Sequence, residues 1–72
     1  MSGTGDYTID QYAATDDGGL LTVTKGGTAL HVKCSADQLA VVETQPDGTF
    51  HLSFSYSQIT NKGTLKDITP AG

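Results

Sequence analysis

Arginine and tryptophan are absent from this chain, and cysteine occurs once. A lone Cys34 excludes an intrachain disulfide, the usual covalent reinforcement of very small domains. Four lysines against eight acidic residues leave a formal net charge of −4. Binding to nucleic acid calls for clustered cations that neutralise phosphates, so that partner class is disfavoured. The acidity is mild and reads as a solubility feature. Long apolar runs are missing too, which argues against a membrane span. Met1-Ser2-Gly3-Thr4-Gly5 lacks the basic start and apolar stretch of a secretory signal. The expected location is therefore cytoplasmic, or a particle assembled in the cytoplasm, and one free thiol fits that compartment. Apolar side chains are scarce: Leu, Ile, Val and Phe make up fifteen of the 72 residues. That is close to the level at which a chain fails to fold alone, and a domain of this size buries a small fraction of its surface. A metal, self-association or very regular hairpins must supplement such a core.

What is present alternates. Leu20 to Lys25 and Thr28 to Lys33 flank Gly26-Gly27, a pair suited to a two-residue hairpin turn. Setting Lys25 opposite Thr28 places Val23 beside Leu30, Thr22 beside His31 and Leu21 beside Val32, so the apolar residues share one face. Tyr7 to Ala14 reads as a preceding strand, joined through the turn residues Asp16-Asp17-Gly18-Gly19. Carrying the register back sets Ala14 beside Leu21 and Tyr12 beside Val23, adding Tyr12 and Ala14 to the apolar face. Residues 1–6 have nothing to bury and are expected to form a disordered arm.

From Leu39 to Ser57 the pattern predicts a central hairpin about Gln45-Pro46-Asp47-Gly48-Thr49. Pro46 presets φ, Asp47 suits the next position and Gly48 tolerates φ > 0. Opposed pairs then run from Thr44 with Phe50 to Ala40 with Phe54, including Glu43 with His51. A capping box at Ser35 and Gln38 competes with this reading. The β-branched Val41, Val42 and Thr44 hold any such helix to one turn. A last hairpin about Asn61-Lys62-Gly63 sets Ile59 opposite Leu65 and Tyr56 opposite Ile68, which puts the apolar residues on conflicting faces. Either a bulge near Ser57 resolves the conflict, or Ile59 and Leu65 form an exposed patch that another subunit covers. Thr69-Pro70-Ala71-Gly72 cannot extend a central strand. The fold expected is all-β: a small antiparallel meander of about six short strands, barrel-like or in two packed sheets. Its domain spans residues 7–69, with residues 70–72 as a tail.

Catalytic chemistry finds no constellation. His31 and Cys34 stand three apart on one strand, so they face opposite ways and cannot chelate a metal together. His31 reads as a solvated strand residue and Cys34 as a small buried hydrophobe. Ser53, Ser55 and Ser57 have no His and Asp arranged to activate them. Asp16-Asp17-Gly18 lacks the ligand alternation of a calcium loop, and no phosphate-binding glycine pattern occurs. Glu43 opposite His51 would form a pH-sensitive pair, because a carboxylate favours the imidazolium. No enzyme, cofactor or metal is expected. The expected function is a non-enzymatic protein interaction or structural module: an accessory subunit of a larger assembly such as a virion, or a self-associating domain forming a homo-oligomer. Its interaction residues would be Ile59, Leu65, Tyr7 and Tyr56. A compact inhibitor docking on a host enzyme, or a barrel binding carbohydrate or a small ligand on its surface, are the alternatives.

Overall fold

The structure is a computed structural model describing residues 1–45 and 48–71. Strands β1 (Ser2–Thr15), β2 (Gly18–Lys25) and β3 (Thr28–Cys34) come first. Helix α1 (Ala36–Thr44) follows, then β4 (Thr49–Ser57) and β5 (Lys62–Pro70). The strands close into a barrel in the order β1-β2-β3-β5-β4, with β4 returning to β1. All pairings are antiparallel except β3 with β5. This connectivity, with a helix between the third and fourth strands, is that of the OB fold, a five-stranded Greek-key barrel.

The β2–β3 hairpin forms in the expected register, from Lys25 opposite Thr28 to Leu21 opposite Val32. Gly26 and Gly27 have φ of 59° and 83°, the two positive values a type I′ turn demands. Upstream the register differs by two residues: Tyr12 stands opposite Leu21 and Ala14 opposite Gly19. A bulge between Ile9 and Gln11 puts Ile9, not Tyr12, opposite Val23. Ile9 is accordingly buried, while Tyr12 stays 40% exposed.

That bulge also lets β1 serve two neighbours, pairing with β4 through Ser2 to Thr8 and with β2 beyond it. Residues 2–6, expected as a disordered arm, are thus part of the barrel wall. The reason is Gly3, which stands opposite Phe54 and is itself buried. A Cβ there would lie 2.8 Å from the Phe54 ring, so the bare backbone is what the ring packs against.

The segment after β3 departs further from expectation, because residues 36–44 form a helix and not a strand. Ser35 has extended backbone angles and its Oγ accepts from Gln38 N, while Gln38 Oε1 accepts from Ser35 N at 2.8 Å. This reciprocal cap satisfies two amide donors at the helix start, and Asp37 in the first turn complements the helix dipole. Leu39 and Val42 are buried, three residues apart on one face. Together the cap and the apolar face prevail over β-branched propensity. Gln45 ends the helix, its N–H donating to Val42 O, and Gly48 N donates to Gln45 O at 2.8 Å. The roles expected of Pro46 and Asp47 lie outside the described residues.

Between β4 and β5 the loop comprises residues 58–61, not 61–63. Ser57 stands opposite Lys62 and Phe54 opposite Leu65, and the register shifts between Ser53 and Phe54. A bulge does resolve the clash of faces, four residues earlier than Ser57. Pro70 belongs to β5 as its last residue, opposite Phe50.

Among the described residues the core comprises Phe50, Phe54, Leu21, Leu52, Val23, Val32 and Val42, all fully enclosed, ringed by Ile9, Leu30, Cys34, Leu39 and Leu65. No helix among the described residues is long and apolar enough to cross a membrane.

Candidate interaction surface

Side chains fill the barrel, so any binding site lies on its outside. The β4–β5 loop is the most distinctive feature there. Asn61 adopts φ 57°, a left-handed value that asparagine tolerates. Its N–H donates to Ser57 O, closing the loop, and its carbonyl accepts from His31 N at 2.8 Å, tying the loop to β3. Ile59 N donates to Ser57 Oγ. At the tip of this fixed loop Ile59 is 94% exposed.

Leu65, expected beside Ile59, is instead buried in the core opposite Phe54. The anticipated two-residue patch therefore does not form, because the register that starts at Ser57 opposite Lys62 turns Leu65 inward opposite Phe54 while Ile59 stays in the loop. Tyr7 and Tyr56 are half-buried and flank Phe54, with ring centroids 5.5 Å and 5.7 Å away. They extend the aromatic core outward and do not line a common groove. Tyr56 does reach the surface, where it borders a cleft of about 440 Å³ at the base of the β4–β5 loop with Leu30, Gln58 and Asn61. Lys25 Nζ lies 3.4 Å from the Tyr7 hydroxyl.

The expected Glu43–His51 pair is absent, since Glu43 belongs to helix α1. His51 pairs with Asp6, its cross-strand neighbour on β1, at 2.9 Å. The sequence reading missed Asp6 because it left residues 1–6 out of the sheet. Both members are more than half exposed, so solvent screens the pair. His31 is exposed on β3, its Nδ1 3.3 Å from Thr22 Oγ1. Cys34 points the other way and is buried, and burial raises its thiol pKa above the ordinary value.

Two further clefts mark where strands part. One, of about 740 Å³, opens where β3 and β5 diverge beyond Lys33 and Thr64; Asp16, Asp17, Lys33, Cys34 and Gln38 line it. Gln38 Nε2 bridges part of the gap to Lys66 O. The other, of about 400 Å³, sits at the β1 bulge, where Asp10 accepts from Thr24 Oγ1 at 2.7 Å. Among the described residues no group of three or more His, Cys, Asp or Glu side chains is placed to hold a metal.

No family model, curated protein or solved structure matches the chain.

Proposed function

We propose that the chain is a non-enzymatic protein-binding module that meets its partner through the β4–β5 loop. Ile59 carries this reading: it is held in water on a loop whose hydrogen bonds fix it to β3 and to Ser57. An isoleucine in that position gains its apolar burial only when another molecule covers it. A loop already ordered loses little further freedom on binding. Self-association as a substitute for a thin core loses its motive, since every strand has a hydrogen-bonded neighbour on both sides.

OB barrels often use the β2–β3 face and the adjoining loops for oligonucleotides or oligosaccharides, but a fold does not fix a function. Here the outward side chains of that face are Leu20, Thr22, Thr24, Ala29, His31 and Lys33. None is Phe, Tyr or Trp, so apart from the His31 ring bases would find little to stack on, and the β1–β2 turn presents Asp16 and Asp17. Both features favour a protein partner. An accessory subunit of an assembly and an inhibitor of an enzyme are two forms the same surface could serve.

The test is a photo-crosslinking amino acid at position 59, compared with the same group at Glu43 on α1, in cells that make the protein. A discrete protein adduct from position 59 and none from position 43 is the expected result. No adduct, or the same adducts from both positions, would remove the loop as the binding element.

A further inference from the structure

Strand β1 changes neighbours at its bulge, and the change leaves a stretch of its edge uncovered. Met1 exchanges both backbone bonds with Tyr56, at 3.0 Å and 2.8 Å, and the register then runs unbroken from Ser2 to Thr8. Odd-numbered residues of that half therefore direct their N–H and C=O at β4, and even-numbered ones at β2. The extra residue between Ile9 and Gln11 reverses this alternation. Beyond it Gln11, Ala13 and Thr15 face β2, while Tyr12 and Ala14 direct their N–H and C=O to the opposite side. Strand β4 does not reach them, because it begins at Thr49 opposite Thr8. Among the described residues no other strand pairs with this side of β1 and no turn or loop bonds to it. Helix α1 leaves it open as well. Residues 10–15 are all exposed, including Ala14, which stands opposite Gly19 where Leu39 of the helix packs.

We infer that residues 10–15 of β1 take up a short extended segment of another protein as an added strand, paired through the N–H and C=O groups of Tyr12 and Ala14, with basic residues at its ends. An extended chain presents donors and acceptors at the spacing of such an edge, and it also covers Tyr12, which is 40% exposed. The start of β4 and the turn at Asp16 bound its length. Charge selects it further. Strand β1 and its turn carry Asp6, Asp10, Asp16 and Asp17 and no lysine, the first in the chain being Lys25. Lys25 lines a cleft with Asp10, and Lys33 lines one with Asp16 and Asp17. Neither forms an ion pair there, since among the described residues the one ion pair joins His51 and Asp6. Three unpaired carboxylates thus border the edge, which favours basic ends on the occupant. A second copy of this chain fits badly. An antiparallel copy that paired through both Tyr12 and Ala14 would line up Asp10, Asp16 and Asp17 of both chains along one seam, and like charges so placed oppose pairing. The site is separate from the β4–β5 loop. That loop shares a cleft with Gly26 and Thr28, at the opposite end of β2 from the β1–β2 turn, so the inference does not depend on Ile59.

The experiment follows backbone amide shifts by NMR during titration with three capped heptapeptides: Lys-Thr-Val-Thr-Val-Thr-Lys, the same sequence with Glu in place of both Lys, and the Lys sequence with Pro at its third and fourth residues. The first should move the amides of Tyr12 and Ala14 saturably and slow their exchange with solvent. The Glu peptide should bind about tenfold more weakly, the sum of a few modest exposed contacts. The Pro peptide keeps the charge but lacks its central N–H groups, and should leave both amides unmoved. Ala14→Pro removes one outward donor and spares the bonds between β1 and β2; with its fold verified by the same spectra, it should abolish the response. Replacing both Asp16 and Asp17 by Asn, which leaves the backbone alone, should weaken binding of the Lys peptide severalfold. No shift with the Lys peptide, equal binding of the Glu or Pro peptide, or an undiminished response in Ala14→Pro would overturn the inference. Shifts of Tyr12 and Ala14 that change with protein concentration in the absence of peptide would overturn it too, because a second copy would then hold the edge. None of these results alters the crosslinking from position 59, so the loop reading stands or falls separately.

Discussion

Gly3 shows how a residue without a side chain can specify packing. The Phe54 ring rests on its backbone between Tyr7 and Tyr56, so a larger residue must push the ring into a filled core. Gly3→Val is expected to cost on the order of 1–3 kcal/mol, read as a lower urea midpoint; an unchanged midpoint would mean that this part of β1 does not pack as described. Cys34 makes a second residue-scale prediction. Burial disfavours its thiolate, and the thiolate is the reactive form, so a disulfide reagent should modify the native protein far more slowly than the urea-unfolded chain. The raised pKa also has a thermodynamic sign. The contribution of the neutral thiol is complete below the unfolded thiol pKa and is lost as pH climbs through the folded value. Cys34→Ala should therefore flatten the alkaline fall in stability, and an unaltered alkaline limb would contradict that link. Asp6→Asn, which removes the exposed partner of His51, should change stability by less than about 1 kcal/mol.

Helix α1 is where local chemistry and hydrophobic pattern point in different directions. Ala40, Val42 and Thr44 alternate as a strand would, yet the bonds between Ser35 and Gln38 commit the segment to a helix. Ser35→Ala should cost about 1 kcal/mol. Gln38→Ala should remove much of the same stabilisation, so the double variant should cost less than the sum of the two; additive losses would mean that the two side chains act separately. The β2–β3 hairpin was legible in full because its turn residues and apolar alternation agree on one register. The helix was only half legible: its cap stands in the sequence, but the burial of Leu39 and Val42 against the barrel does not. Turn length and bulges explain the other differences. The turn at Asp16-Asp17 and the loop at residues 58–61 set where Tyr12 and Leu65 pair, and the irregularities after Ile9 and at Ser53, which have no residue signature, then bring Ile9 opposite Val23 and Ile68 opposite Leu52. Of the candidate interaction residues, Ile59 was found for a reason that changed, from a strand position with a misplaced face to the tip of a loop.

At the scale of the whole molecule, a chain with a sparse apolar complement makes a core by closure: each of the five strands has a hydrogen-bonded neighbour on both sides, and the helix packs on the barrel. Closure changes the meaning of the exposed features that remain. An unpaired edge would invite another copy of the same chain, whereas a fixed loop bearing an exposed Ile59 invites a different molecule. The central claim is thus that the barrel is complete in itself and offers its surface to a partner. Light scattering coupled to size exclusion, across a wide range of protein concentrations, tests this most directly. A constant mass matching the 7.5 kDa chain is the predicted result. A stable oligomer persisting at the lowest concentration would contradict it, and would mean that the barrel's outer surface is already occupied by its own copies.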